Sequence, residues 1–285
     1  EKVHGANFSF IYENKTDKIS CGKRTGIIQP GEHFYCYETI LDETIPKIKI
    51  IINEIKALDK PFDNVIIYGE LFGGIYPEIK TKNKPIQKGV FYSPNIHFYA
   101  FDILIICDKM KCYLDYELAL DIFRKSNIFH AEPLAIYNDL AEALRHPIGF
   151  NSKIPEKLGL PTLNINKAEG IIIKGLHEPN CSYGINESSQ RLIVKIKIPE
   201  FAETIEQNPG EIMDLYKMAE ACMTENRYNN AVSKVGEAKN AEAIEAIYNL
   251  FVEDILEELN IENKHKKNKI KGWLFSQKNT FISKL

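Results

Sequence analysis

The residues best suited to covalent chemistry open the chain, in Glu1-Lys2-Val3-His4-Gly5-Ala6-Asn7, just ahead of the apolar run 8–12. A lysine set before a glycine-containing turn and a buried strand is held in place as an amine nucleophile. Free lysine is a poor one, because its amine is protonated below a pKa of ~10.4. Attack at neutral pH asks for a drop of roughly 3 units, about 4 kcal/mol, through burial and neighbouring cations. Taken by itself, Lys2 also reads as a solvated terminal lysine.

Further candidates follow downstream, each with a plainer alternative. Lys23 and Arg24 stand between Gly22 and Gly26, where backbone and guanidinium can both approach a phosphate; a charged hairpin turn has the same look. Glu70 ends an apolar run beside Gly69, suited to a ribose hydroxyl or a metal-bound water, or simply to solvent. Phe101 and Asp102 lie in a long aromatic strand, where a ring could stack on a base or fill the core. Glu169 precedes the run Gly170-Ile171-Ile172-Ile173-Lys174 and could partner a metal or the attacking amine. Lys195 and Lys197 alternate with Val194, Ile196 and Ile198, so period two puts both ammonium groups on one strand face. There they can converge on one phosphate or stay solvated.

The elements needed to position these groups can be read from patterning. Runs 8–12 and 18–21 read as paired strands joined by the polar turn 13–17. Residues 46–58 read as an amphipathic helix with Pro46 near its start. Runs 65–68 and 96–106 read as strands, with a polar loop over 73–89 that carries Lys80, Lys82, Lys84 and Lys88. That loop could meet the phosphates of a polyanion or water. Helices are expected over 115–126 and 138–146, irregular chain over 147–162, a strand over 170–174, a polar loop over 178–190 and a strand over 191–198. Past Pro209-Gly210 the alternation stops and helices are expected over 211–224, 229–236 and 241–259. In the last of these, Ile244, Ile247, Tyr248, Phe251, Ile255 and Leu259 line one face. Arg227, Lys234 and the basic run 264–271 could grip the phosphates of a polyanion, or the run could be a solvated face. The pattern predicts an α+β core of antiparallel sheets flanked by helices over residues 1–207, then a small all-α C-terminal domain over 208–285.

Composition bounds the partners. The 285 residues are 44% hydrophobic and 26% charged with a formal net charge of −3, so a nucleic-acid surface must be a local patch. None of the six cysteines forms Cys-x-x-Cys or stands at zinc spacing from a histidine, which favours reduced core thiols. No signal peptide and no membrane-length apolar run is visible. An intracellular protein, cytoplasmic by default, monomeric and without a membrane partner is expected.

Six stretches taken in order resemble the covalent nucleotidyltransferases, and within them the RNA ligase 2 family of phage and trypanosome RNA-editing ligases. They are Lys2-Val3-His4-Gly5, Gly22-Lys23-Arg24-Thr25-Gly26, Tyr68-Gly69-Glu70-Leu71-Phe72-Gly73, Phe98-Tyr99-Ala100-Phe101-Asp102, Glu169-Gly170-Ile171-Ile172-Ile173-Lys174 and Val194-Lys195-Ile196-Lys197. The resemblance covers nearly the whole chain. His4 stands where DNA ligases and capping enzymes usually carry Asp, and residues 226–237 resemble the family's helical C-terminal domain.

The resemblance implies a nucleotidyltransferase fold and ATP-dependent joining of RNA 3′-OH and 5′-phosphate ends, through a lysyl-AMP intermediate and an adenylylated RNA 5′ end. It implies Lys2 as nucleophile, with His4, Glu169, Lys195 and Lys197 completing the catalytic set. Glu1, Gly5, Asn7, Arg24, Glu70, Phe101 and Asp102 would surround the nucleotide, Phe101 by stacking on adenine. Mg²⁺, or Mn²⁺, would be held with help from Glu169. The RNA would be a nicked or bridged duplex, and the biological setting repair or editing. Family members carry a segment upstream that helps build the pocket, so the chain is expected to be N-terminally incomplete. The alternatives are a non-catalytic RNA-binding relative, or a DNA ligase or capping guanylyltransferase. The missing β-barrel pattern at the C-terminus and His4 argue against the last two.

Overall fold

A computed structural model describes residues 1–108, 110–177, 193–201, 215–237, 239–261 and 264–285. The chain divides into two compact units, Glu1–Ile198 and Pro199–Leu285. The boundary expected at 207–208, the loop 178–190, the first two residues of strand 191–198 and the first four of helix 211–224 lie outside the described residues.

Unit 1 is built on β1 (Ala6–Glu13), β2 (Lys18–Lys23) and β3 (Gly26–Ile27), then helix α1 (Leu41–Lys56), then β4 (Asn64–Ile75), β5 (Ser93–Cys107) and β6 (Met110–Tyr113). These strands form one sheet in the order β3-β2-β1-β4-β5-β6, and every neighbour runs antiparallel. Helix α2 (Tyr116–Ser126) and two single turns, α3 (Leu140–Ala143) and α4 (Ile154–Lys157), follow. A two-stranded antiparallel sheet of β7 (Gly170–Lys174) and β8 (Ile193–Lys197) completes the unit.

Alternation decides which face of the large sheet is core. Phe8 and Phe10 of β1, Val65 and Ile67 of β4 and Ile103 of β5 share one buried cluster with Ile48, Ile51, Ile52 and Ile55 of α1 and with Ile122 and Phe123 of α2. The opposite face receives the polar residues of the same strands. Asn7 pairs with Glu70 and Ser9 with Tyr68 across β1 and β4, and Tyr68 pairs with Asp102 across β4 and β5. Directly opposed residues point the same way, so Asn7, Glu70 and Asp102 share that face. The small sheet faces it: Lys2 N–H donates to the Gly170 carbonyl at 2.9 Å, and Lys174 Nζ donates to Asp102 Oδ1 at 3.0 Å.

Several boundaries differ from those expected. Helix α1 begins five residues earlier and takes Pro46 into its interior. The proline removes one backbone donor there, and the four buried isoleucines hold the helix regardless. Strand β4 runs on to Ile75, and only four of the nine residues expected as a helix over 138–146 are helical, in α3. Cys21, Cys36, Cys107 and Cys222 are free thiols, Cys36 exposed rather than in the core. Cys112 is disulfide-bonded, where the sequence favoured a thiol.

Unit 2 is helical: α5 (Leu215–Ala221), α6 (Glu225–Val235), α7 (Ala241–Glu258), α8 (Lys264–Ser276) and α9 (Lys278–Ile282). Thr224 and Asn240 cap α6 and α7 by accepting from Arg227 N–H and Ala243 N–H. Ile247, Tyr248, Phe251 and Ile255 of α7 pack with Tyr228 and Ala231 of α6 and Ile270 and Leu274 of α8, a core of this unit's own. No described helix is long and apolar enough to cross a membrane.

Candidate active site

The site gathers on the Glu169 carboxylate, which is 1% exposed. Lys2 Nζ lies 2.5 Å from Glu169 Oε2 and His4 Nδ1 lies 3.5 Å from the same oxygen. Lys197 Nζ lies 3.3 Å from Oε1. Burial alone would raise the Glu169 pKa, but the His4 hydrogen bond and the charges of Lys2, His4 and Lys197 outweigh it and hold it at about 2. A carboxylate ionised this firmly, on the residue before β7, gathers two ammonium groups and an imidazole around one point.

Lys2 reaches that point because its own segment is clasped three times. The Glu1 carboxylate accepts from Ser152 Oγ at 2.5 Å and from Lys153 N–H at 2.9 Å. Lys2 N–H bridges to Gly170, and His4 N–H donates to the buried Tyr92 hydroxyl at 2.9 Å. Gly5 is where the segment turns into β1. A Cβ there would stand 2.1 Å from the Leu71 carbonyl oxygen, so only glycine fits without moving β4.

Glu70 occupies the wall beside Lys2. Burial is the largest influence on it and raises its pKa to about 7. Lys2 opposes that rise and the Glu169 charge reinforces it, with smaller downward pulls from Lys195 and the Gly5 N–H. Lys195 lies with this group. The residue is exposed along its length, but desolvation around its amine and then the charges of Lys2 and Arg24 hold it below the usual lysine range. Arg24, exposed just past β2, thus faces the same region. Period two sets Lys195 and Lys197 on one face, one toward Glu70 and Arg24, the other on Glu169.

Phe101 and Asp102 form the other end. The register of β4 and β5 shifts between Tyr68 and Gly69, which leaves Phe101 as the unpaired residue of a bulge. The bulge releases Phe101 from the alternation that buries Ile103, and Phe101 keeps partial exposure. Lys174 Nζ donates to the Phe101 carbonyl at 2.8 Å and sits 5.4 Å from the Phe101 ring centroid. Asp102 is 3% exposed and forms its ion pair with that lysine.

The twelve residues expected to serve catalysis or the nucleotide all lie in unit 1. The structure brings Lys2, His4, Glu169, Lys195, Lys197, Glu70 and Arg24 together, each within electrostatic reach of at least one other, Arg24 through Lys195. Asn7 stands on the same sheet face as Glu70. Glu1 differs from expectation in one respect: its carboxylate is committed to Ser152 and Lys153, so any nucleotide contact by Glu1 falls to its backbone. Sequence reasoning missed Lys174, Tyr92 and Ser152. Lys174 closes a stretch already singled out, five residues beyond Glu169. Tyr92 and Ser152 carry no local signal, because their partners are far away in the chain.

Residues 1–197 match the RNA ligase family model. The chain belongs to that family. Residues 206–274 match the model described as T4 RNA ligase 2 C-terminal, which places it in the RNA ligase 2 branch. Among curated proteins, this RNA ligase family chain is similar to the mitochondrial RNA-editing ligase 1 of Trypanosoma brucei brucei, at 29% identity over 246 residues, 75% of this chain and 51% of that protein. It is also similar to the mitochondrial RNA-editing ligase 2 of the same organism, at 34% over 202 residues, 61% of this chain and 47% of that one. The chain spans about half the length of the curated relatives it matches. A solved Naegleria gruberi RNA ligase with PPi aligns at 18% identity and a TM-score of 0.43, covering 69% of this chain and 47% of that one.

Proposed function

We propose that this chain carries the catalytic centre of an ATP-dependent RNA ligase that joins a 3′-OH to a 5′-phosphate, and that Lys2 is the residue adenylylated. The observation that carries the reading is the Glu169 hub, which holds Lys2, His4 and Lys197 on one buried carboxylate with Lys195 alongside.

Lys2 gives up a proton and its Nζ attacks the α-phosphorus of ATP. The P–N bond forms as the P–O bond to pyrophosphate breaks. Lys195 and Lys197 meet the charge that develops on the phosphate oxygens, while Glu169 keeps the amine aimed. A 5′-phosphate oxygen of RNA then attacks the same phosphorus, the P–N bond breaks and Lys2 recovers its proton. Finally the 3′-OH attacks the RNA 5′-phosphorus and AMP leaves. Phe101 stacks on adenine, with its backbone and Asp102 fixed by Lys174. Glu70, Asn7 and Arg24 surround the ribose and phosphates.

Among the described residues, no group of three His, Cys, Asp or Glu side chains could hold a metal. Glu169 and Glu70 suit a Mg²⁺ that keeps most of its waters and arrives with phosphate oxygens. Bound there, Mg²⁺ or Mn²⁺ would screen phosphate charge. A monomeric intracellular enzyme acting on nicked or bridged duplex RNA, in editing or repair, completes the reading. The rival, a non-catalytic RNA-binding relative, gives no reason to keep Lys2, Glu169, Lys195 and Lys197 converging.

The test is incubation with α-labelled ATP and Mg²⁺ in the absence of RNA, followed by denaturing electrophoresis. It is fair only with any upstream segment present. Wild type should carry label and Lys2→Ala should carry none. Label at wild-type level on Lys2→Ala would sink the assignment.

A further inference from the structure

The chain between β4 and β5, residues 76–92, carries Lys80, Lys82, Lys84 and Lys88 against a single acidic residue, Glu78, in a protein whose net charge is −3. All four lysines are exposed. Among the described residues, no ion pair is made by Lys80, Lys82 or Lys88.

A solvated loop needs no fixed course, yet this one is fastened along its length. Thr81 Oγ1 and Asn83 Nδ2 both donate to the Pro94 carbonyl, at 2.8 and 3.1 Å. These inward bonds alternate with the outward lysines. Ile86 N–H donates to the Gly73 carbonyl, and Ile86, Val90 and Tyr92 are buried. The Lys84 carbonyl lies where a Cβ on Gly74 would stand 2.1 Å away, and Gly74 has φ +96, so the loop lies flat on the end of β4 only because that residue is glycine.

The fastenings also tie the loop to the catalytic segment. Gln87 Nε2 donates to the Gly5 carbonyl at 3.4 Å and Tyr92 accepts from His4 N–H. The backbone that carries these lysines is therefore held at a set place relative to the segment that carries Lys2. A run of exposed lysines on a loop fastened to the Lys2 segment suits a polyanion, and the polyanion the proposed chemistry brings there is RNA.

We infer that the 76–92 loop is an RNA-backbone cradle, in which Lys80, Lys82 and Lys88 bind phosphates flanking the join while Gln87 and Tyr92 fix the cradle relative to Lys2. This rests on the proposed ligase reading and adds the place where RNA lies. Ammonium–phosphate pairs carry affinity without sequence preference. For every such pair removed, the fall of log K with log salt becomes shallower by about 0.7 to 0.9.

The experiment measures binding of a nicked, 5′-phosphorylated RNA duplex between 50 and 200 mM salt (a range over which phosphate contacts of this kind change affinity by orders of magnitude). The full chain is compared with its Lys80→Gln/Lys82→Gln/Lys88→Gln form. The triple variant should bind at least ~10-fold more weakly at the lowest salt, with a slope shallower by roughly 2. Lys2 labelling by ATP alone, which needs no RNA, should stay at the wild-type level. The same number of charges removed at Lys15, Lys18 and Lys60, at the far end of the sheet, should leave the slope nearly unchanged. An unaltered slope in the loop variant, or an equal change in the control, overturns the cradle. Should the triple variant fold poorly, the single variants decide, each with a slope change of about 0.7. The two readings fail separately. Absence of Lys2 label in wild type defeats the ligase reading, whereas the salt slopes report on the loop whether or not label forms.

Discussion

Glu169 and Glu70 show how far two carboxylates in one site can be driven apart. Glu169 is buried and Glu70 half-buried beside the same lysines, yet one is held at about 2 and the other at about 7. The difference lies in partners: Glu169 takes His4, Lys2 and Lys197, while Glu70 gains less from Lys2 and Lys195 than burial and the Glu169 charge take away. The sign for stability follows from linkage. A carboxyl raised in the folded state binds more protons than in the unfolded chain, so Glu70 makes stability fall as pH rises from about 4.5 to about 7, with the full penalty above that window. The penalty is at most about 3 kcal/mol. Glu70→Gln should therefore raise the melting temperature at pH 8 and leave it nearly unchanged at pH 4. At pH 8 it should also weaken ATP binding if the carboxylate meets the ribose. Thermal melts at the two pH values test the first expectation and a nucleotide titration the second. A melting temperature lowered at pH 8 would show that ionised Glu70 is a structural partner rather than a strained one.

At the scale of elements, the segment before β1 is a short extended stretch with one bridge at Lys2, pinned from three directions, and its pins explain what the sequence could and could not disclose. Lys2, Glu169, Lys195 and Lys197 were legible because each stands at a fixed offset from a glycine or in a period-two run. The sheet was legible where strands alternate, as in β1 and β5, and poorly so at the edge strands β3 and β6, which are too short to show a pattern. Helix α3 was overread because Leu140 and Leu144 have helical spacing, yet both remain exposed with nothing packed over them. Tyr92, Ser152 and Gln87 could not be read at all, since their importance comes from partners met only once the chain has folded. Tyr92 gives the sharpest test. Tyr92→Phe keeps the ring against Phe72 and removes only the acceptor of His4 N–H, leaving a donor unsatisfied at a cost of about 1–3 kcal/mol. The expected outcome is a lower melting temperature together with slower Lys2 adenylylation at saturating ATP, with nucleotide affinity little changed. Adenylylation at the wild-type rate in a destabilised variant would make the contact structural only.

At the scale of the whole molecule, the nucleotide machinery and the helical unit have separate cores, so each can be asked what it contributes. Every residue of the proposed pocket lies within Glu1–Ile198. In the helical unit Arg227, a candidate phosphate ligand by sequence, is 3% exposed and pairs with Asp254 Oδ2 at 2.6 Å between α6 and α7. It is a strut of that unit, and Arg227→Ala should unfold the helices before it alters any RNA contact directly. The solvent-facing charge is instead on α8, where Lys264, Lys266 and Lys269 are exposed while Ile270 and Leu274 anchor the helix. Adenylylation of Lys2 requires only the pocket, whereas sealing requires RNA held in register against the adenylate. A chain stopped near residue 207, with any upstream segment present, should therefore still form lysyl-AMP. It should fail to seal a nicked RNA duplex, and its RNA affinity should fall with a shallower salt slope. The slope should not vanish, because the 76–92 lysines remain. Sealing by the truncated chain at the rate of the full one would show that the helical unit is dispensable for RNA placement and that the grip lies wholly in unit 1.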